Sequence, residues 1–277
     1  MIRHASAALL ASVSLAVLAP VRTAAAQQSD SARVQKTFLT RRDAIIGGSY
    51  LAVTAGVSIF DKRIEHFFED TTLSHVREGE RLDKYFTHIN ETTLTVGGLL
   101  TYGAARLLHA PTVADIAFHA SESVILASLS SQVIRGPLGR ARPSVSPDNQ
   151  YNFHPFKGFT GFDRRAFPSI HSSSGFAAAS AIVAETKLRD PSALKFVAPI
   201  AYVLALTPGL SRMYLGEHWA SDVFAGAFMG TWAGWRVVDY SHSHRHNWFD
   251  RTFLGTAAHL SPAYQNGAVS FGWSGTF

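Results

Sequence analysis

The chain has 277 residues, 47% hydrophobic and only 16% charged, with a formal net charge of +5 and no cysteine. Disulfides, thiolate metal sites and cysteine nucleophiles are therefore excluded, and the apolar content is ample for a large core. The basic balance suits an anionic partner, but no zinc-finger or RNA-binding signature accompanies it, so nucleic acid is not the expected partner.

In chain order, MIRH supplies a positive start, an apolar run follows, and TAAAQ offers small residues for cleavage. This predicts a signal peptide over 1–26, cleaved after Ala26, and hence export. Arg41 and Arg42 stand before an apolar run, but Asp43 follows at once, which predicts an ordinary helix start with Asp43 at its positive end. Six apolar helices are expected at about 43–60, 92–109, 112–134, 169–187, 195–210 and 219–238. Between the first two, charged and aromatic residues at helical spacing predict one or two amphipathic helices.

Between the third and fourth, residues 144–167 lack a period and read as a long loop. It carries Tyr151, Phe153, Phe156, Phe159, Phe162 and Phe167, with Lys157, Arg164 and Arg165 among them. Those aromatics either pack over the helices as a lid or receive an apolar part of a substrate. SHSHRH (241–246) offers metal ligands but reads as a solvated helix end. The tail, 247–277, carries a hairpin signal at Asn266-Gly267. The expected domain is all-α over 27–246, with its motif-bearing core at 90–240.

Polar clusters stand at three helix ends. RGPLGRARP closes the third helix with Arg135, Arg140 and Arg142; FPSIHSSSG opens the fourth at Pro168-Ser169, with His171 in its first turn. SRMYLGEHWASD follows Pro208-Gly209, which is expected to end the fifth helix and leave Ser211 and Arg212 at a break. His218 and Asp222 are four apart, so on one helix face the carboxylate can accept the imidazole Nδ1 proton and leave Nε2 free. Arginine forks and helix N-termini both favour phosphate oxygens. Three arginines, two histidines and two helix starts describe an oxyanion site.

In order and spacing, Arg135-x6-Arg142-Pro143, Pro168-Ser169-x-His171 and Ser211-Arg212-x5-His218-x3-Asp222 resemble the three-part signature of the type 2 phosphatidic acid phosphatase superfamily. The resemblance covers about residues 90–240 and implies a six-helix bundle of the acid phosphatase/haloperoxidase type. It implies that His218 attacks phosphorus to form a phosphohistidine, that Asp222 orients it, and that His171 protonates the leaving oxygen and later activates water. Arg135, Arg142, Arg212, Ser169 and the backbone N–H of Ile170 would hold the phosphoryl oxygens. No metal or other cofactor is required, because the arginines supply the positive charge.

Arg135 stands where the family usually has lysine, and Ile170 where it usually has glycine; both are read as tuning. The substrate expected is a phosphorylated small molecule or a lipid (di)phosphate. Rival readings are a vanadium-dependent haloperoxidase, a generally much larger enzyme with a region lacking here, and a non-enzymatic helical membrane scaffold.

Membrane topology stays open. The apolar runs are mostly shorter than the ~20 residues of a span, and Asp115, His119 and Glu122 interrupt the third. This favours an exported domain, soluble or peripheral, with its site facing the periplasm. Basic residues at Arg41-Arg42 and at Lys187, Arg189 and Lys195 fit six spans with the N-terminus inside.

Overall fold

The computed structural model describes residues 38–70, 85–86, 88–244, 247–254, 259–265 and 268–274. The expected signal peptide and Asn266-Gly267 lie outside these residues. In chain order the helices are α1 (Arg41–Ser58), α2 (Asp61–Asp70), α3 (Glu91–Leu107), α4 (Pro111–Leu138), α5 (Ile170–Arg189), α6 (Leu194–Tyr214), α7 (Ala220–Ser243) and α8 (Trp248–Phe253). Strands β1 (His259–Gln265) and β2 (Ala268–Ser274) pair antiparallel, with Gln265 opposite Ala268. The six long helices coincide with the six expected stretches, and the architecture is a helical bundle.

Capping starts the helices where their sequences allow it. Thr40 caps α1 in a reciprocal capping box with Asp43, so Arg41 and Arg42 begin an ordinary helix. Asn90 caps α3 by accepting from Thr92 and Thr93 N–H.

Three helices run further than expected: α4, α6 and, as far as Ser243, α7. Pro208 was expected to end α6, yet the helix continues to Tyr214. A proline frees the carbonyl four residues back. Here that carbonyl, of Leu204, accepts the Thr207 hydroxyl at 2.7 Å, so the helix survives the defect. Ser211 and Arg212 therefore lie within the final turns of α6 and not at a break. α4 likewise continues through Pro137 and stops at Gly139, whose φ of 58° provides the left-handed cap. At 28 and 21 residues, α4 and α6 are long and apolar enough to cross a membrane. For these two helices the expected shortfall is corrected.

The interior is built from small residues. Ala120, Ala181, Ala184 and Val238 form one buried cluster, and Val124, Ala127, Ala177 and Ala233 another. On α7, Gly226, Gly230 and Gly234 recur every four residues against α5. A side chain at any of them would overlap a carbonyl oxygen of Ser169, Ser173 or Ala177 in turn. This close approach fixes the two helices that carry the motif histidines' segments. The large apolar side chains point outward instead: Leu99 and Leu100 on α3, Leu129 and Val133 on α4, and Phe196, Ile200 and Val203 on α6 are exposed. Small residues inside and large apolar ones outside make a membrane-associated bundle.

Candidate active site

One end of the bundle gathers all three motifs. A cavity of ≈ 500 Å³ is lined by Arg135, Arg142, Ile170, His171, Arg212 and His218, together with Asn90, Glu91, Thr92 and Thr93 at the start of α3 and Gln132, Phe162 and Arg165. Arg135 reaches it from the last turn of α4, where its guanidinium donates to the Arg165 carbonyl at 2.6 Å. Arg142 follows from the loop after α4, with Phe162 stacked 4.0 Å over it. Arg212 comes from the end of α6. Each of the three arginines is buried and keeps a buried Nε–H without a hydrogen-bond partner. Buried donors of that kind await an acceptor. Burial and the neighbouring Arg212 and Arg135 push Arg142 down to about 10, so it stays charged at neutral pH.

The turn between α6 and α7 brings His218 back to Arg212. Gly216 adopts φ 63°, a value costly for any side-chain-bearing residue, and the chain reverses there. Glu217 N–H and His218 N–H then both donate to the Arg212 carbonyl, at 2.9 and 3.3 Å. His218 consequently precedes α7 instead of sharing its face with Asp222. The expected hydrogen bond is replaced by a separation of 3.8 Å between His218 Nδ1 and Asp222 Oδ2. The reason is competition: as third residue of α7, Asp222 accepts the Trp219 N–H at 2.8 Å with that same oxygen. Burial is the main force on His218, outweighing Asp222 and aided by Arg135 and Arg142, and pushes its pKa down to about 4. A neutral, nucleophilic imidazole results at physiological pH.

His171 sits in the first turn of α5 and lines the cavity, with Nδ1 buried and unpartnered. Ile170 opens α5 in the helical conformation, which a β-branched residue accepts. Ser169 is the N-cap of α5, fully buried, and its hydroxyl accepts from Ser172 N–H at 3.5 Å. It lies behind the cavity wall, where its N–H donates to the Asp222 carbonyl at 3.0 Å and so joins the second and third motifs.

Arg140 belongs to the scaffold. Fully buried, it donates to Asp222 Oδ1 at 2.5 Å, Ser221 Oγ at 2.8 Å, Asp61 Oδ2 at 2.8 Å and the Gln150 carbonyl. Asp61, also fully buried, accepts Ser221 N–H at 2.8 Å and the Ser221 hydroxyl. α1 and the segment Asp61–Glu69 meet at a 52° bend, and that bend is what delivers Asp61 to the network. The sequence offered no signal for Asp61, which stands far upstream of the motifs.

Glu217 was also missed. Its carboxylate pairs with Arg142 and lies 3.2 Å from Arg212, so it takes two of the cations that would grip a phosphate. Its position one residue before His218 is the only clue in the sequence. Glu217→Gln should weaken this competition and lower the inhibition constant of inorganic phosphate by about 10-fold or more, the worth of a charged hydrogen bond. Titrating hydrolysis with phosphate measures it. A raised constant would assign Glu217 to positioning the arginines.

The loop aromatics divide. Tyr151, Phe153, Phe156, Phe159 and Phe162 are exposed. Phe162 alone of these lines the cavity. Phe159 packs on Gly136, and Phe153 lies 5.4 Å from the Arg140 guanidinium.

Residues 117–245 match the model of the PAP2 superfamily. Over 113 residues the chain is 33% identical to the lipid A 1-phosphatase of Rhizobium johnstonii, covering 40% of this chain and 41% of that protein. Over 119 residues it is 29% identical to the lipid A 4'-phosphatase of Bacteroides thetaiotaomicron, covering 41% of this chain and 48% of that one. The match thus spans under half the length of these curated relatives. A crystal structure of a transmembrane PAP2 type phosphatidylglycerolphosphate phosphatase from Bacillus subtilis aligns at 20% identity, covering 69% of this chain and 99% of that one, with a TM-score of 0.33.

Proposed function

We propose, from the match of residues 117–245 to the PAP2 superfamily, that this chain is a membrane phosphatase of that superfamily acting on lipid-borne phosphate. The observation that carries the proposal is the convergence of Arg135, Arg142, Arg212, His171 and His218 on one cavity. In the proposed reaction His171, whose pKa burial and the nearby Arg212 hold down at about 3, takes up a proton as the phosphate dianion binds beside it. The His218 imidazole attacks phosphorus, the P–O ester bond breaks, and His171 gives that proton to the leaving oxygen. Water, deprotonated by His171, then displaces the imidazole and leaves inorganic phosphate. The three guanidinium groups stabilise the charge on the phosphoryl oxygens in both steps. Relatives matched over part of the chain are phosphatases of lipid A, and nothing favours a haloperoxidase or a scaffold.

In this reading α4 and α6 cross the bilayer and the cavity opens at its periplasmic side. Exposed Tyr151, Phe156 and Phe159, interleaved with Lys157 and Arg164, then lie at the lipid–water boundary, which aromatic and basic side chains favour. Phe162, at the cavity, would meet the apolar part of the substrate. The test is kcat/KM for a lipid A-type glycolipid phosphate and for a sugar phosphate, in detergent. The parent should prefer the lipid by at least ~10-fold, and Phe162→Ser should remove most of that preference, as expected for losing one aromatic contact. Equal values for both esters would leave a phosphatase without lipid selectivity.

A further inference from the structure

The other end of the bundle holds a second polar cluster, which the phosphatase reading does not use. His119 and Arg135 are both on α4, sixteen residues and so about 24 Å apart. His119, Glu122 one turn later, and Asp250 on α8 bring their ligand atoms within 4.8 Å of one another. Each contributes a buried atom with no hydrogen-bond partner: His119 Nε2, Glu122 Oε2 and Asp250 Oδ1. His119 is only 3% exposed. Its Nε2 stands 3.7 Å from Asp250 Oδ2, too far for a hydrogen bond. Two ligands around one ion at ~2.1 Å bond lengths are separated by roughly 3–3.5 Å, close to this spacing.

The outer partners have the form a metal-bound imidazole requires. His119 Nδ1 meets Glu185 Oε1 at 2.5 Å, which leaves Nε2 to carry the lone pair. Glu185 is held in turn by His242 Nε2 at 2.8 Å and Arg189 Nε at 2.7 Å, and Arg189 reaches Asp115 at 2.8 Å. The bonds of Glu185 to His119 and His242 are already made, so its carboxylate supports the cluster while the three unpartnered atoms face one another. His242 is consequently no solvated helix end. The three charged residues that interrupt the apolar run of α4 are all accounted for here.

We infer that His119, Glu122 and Asp250 form a binding site for a divalent transition-metal ion that accepts nitrogen and carboxylate ligands, of the zinc or manganese class. Such an ion would link α8 to α4, beside the packing of Phe249 and Phe253 on Phe118. It would compensate two carboxylates converging at a buried imidazole, and it lies too far from the phosphate pocket to take part in hydrolysis.

The test uses the full chain purified in detergent, stripped with a chelator and titrated with Zn²⁺, Mn²⁺ and, as a spectroscopic probe, Co²⁺. About one equivalent should bind in the parent, with visible Co²⁺ absorption and a raised thermal midpoint. Glu122→Gln and Asp250→Asn should each weaken binding at least ~10-fold, and Glu185→Gln, acting through His119, by 10–100-fold. Size-exclusion profile and circular dichroism identify any variant that fails to fold, and the parent titration decides the matter without variants. A parent that binds no ion stoichiometrically would reduce the cluster to an imidazolium between two carboxylates and overturn the inference. So would a metal retained by both carboxylate variants. Neither result would touch the phosphatase reading.

Discussion

His218→Ala should lower phosphate release on the order of 10⁴-fold or more, with the protein still folded, because the proposed reaction has no other nucleophile. Asp222→Asn should cost on the order of 10³-fold. His218 Nδ1 and Asp222 Oδ2 stand 3.8 Å apart, and contacts of this kind tighten when the reacting group binds. Rapid acid-labile labelling of the parent by a phosphorylated substrate should accompany turnover. His171→Asn separates the steps. With a nitrophenyl ester, whose leaving group needs no proton, the first step should survive and the phosphoenzyme should accumulate as a burst. Near-normal turnover in His218→Ala would sink the mechanism, and a missing burst would remove His171 from the second step.

Arg140→Met should destabilise the protein by about 3–5 kcal/mol, the cost of stranding a buried charge. Arg140 is the shared partner of Asp61 and Asp222, and all three are fully buried. Without it two carboxylates remain in the interior, and the one beside His218 loses its orientation. Asp61→Asn should cost less, because the amide oxygen can still accept from Ser221. The double variant Arg140→Met/Asp61→Asn should regain part of the lost stability while activity stays low. Thermal midpoints in detergent, set beside kcat, would check this. A fully active Arg140→Met would show that Asp222 needs no support from below.

The six long helices and the three motifs were legible in the amino-acid order because both depend on local information. Apolar runs predict helices wherever they stand, and Arg142, Arg212, His171 and His218 sit at spacings read without three-dimensional knowledge. Helix ends were less legible. Whether Pro208 breaks α6 depends on whether the Leu204 carbonyl finds another donor, and Thr207 supplies one. The same holds for the His218–Asp222 pair: a spacing of four suggests one helix face, but Gly216 turns the chain and the Trp219 N–H claims the Asp222 oxygen.

The roles of Asp61, Arg140 and Glu217 were decided by tertiary structure alone. Arg140 and Arg142 look alike in RGPLGRARP, and only packing points one at Asp61 and Asp222 and the other into the cavity. Asp115, His119 and Glu122 read in sequence as defects in an apolar helix. Folding brings Arg189, Glu185, His242 and Asp250 to them from three other helices, and the defects become one polar cluster in which His119, Glu122 and Asp250 converge. Residue type and spacing determine which groups a chain can offer. Which of them meet is set by burial, because a charge removed from water must find its partner wherever the chain places one.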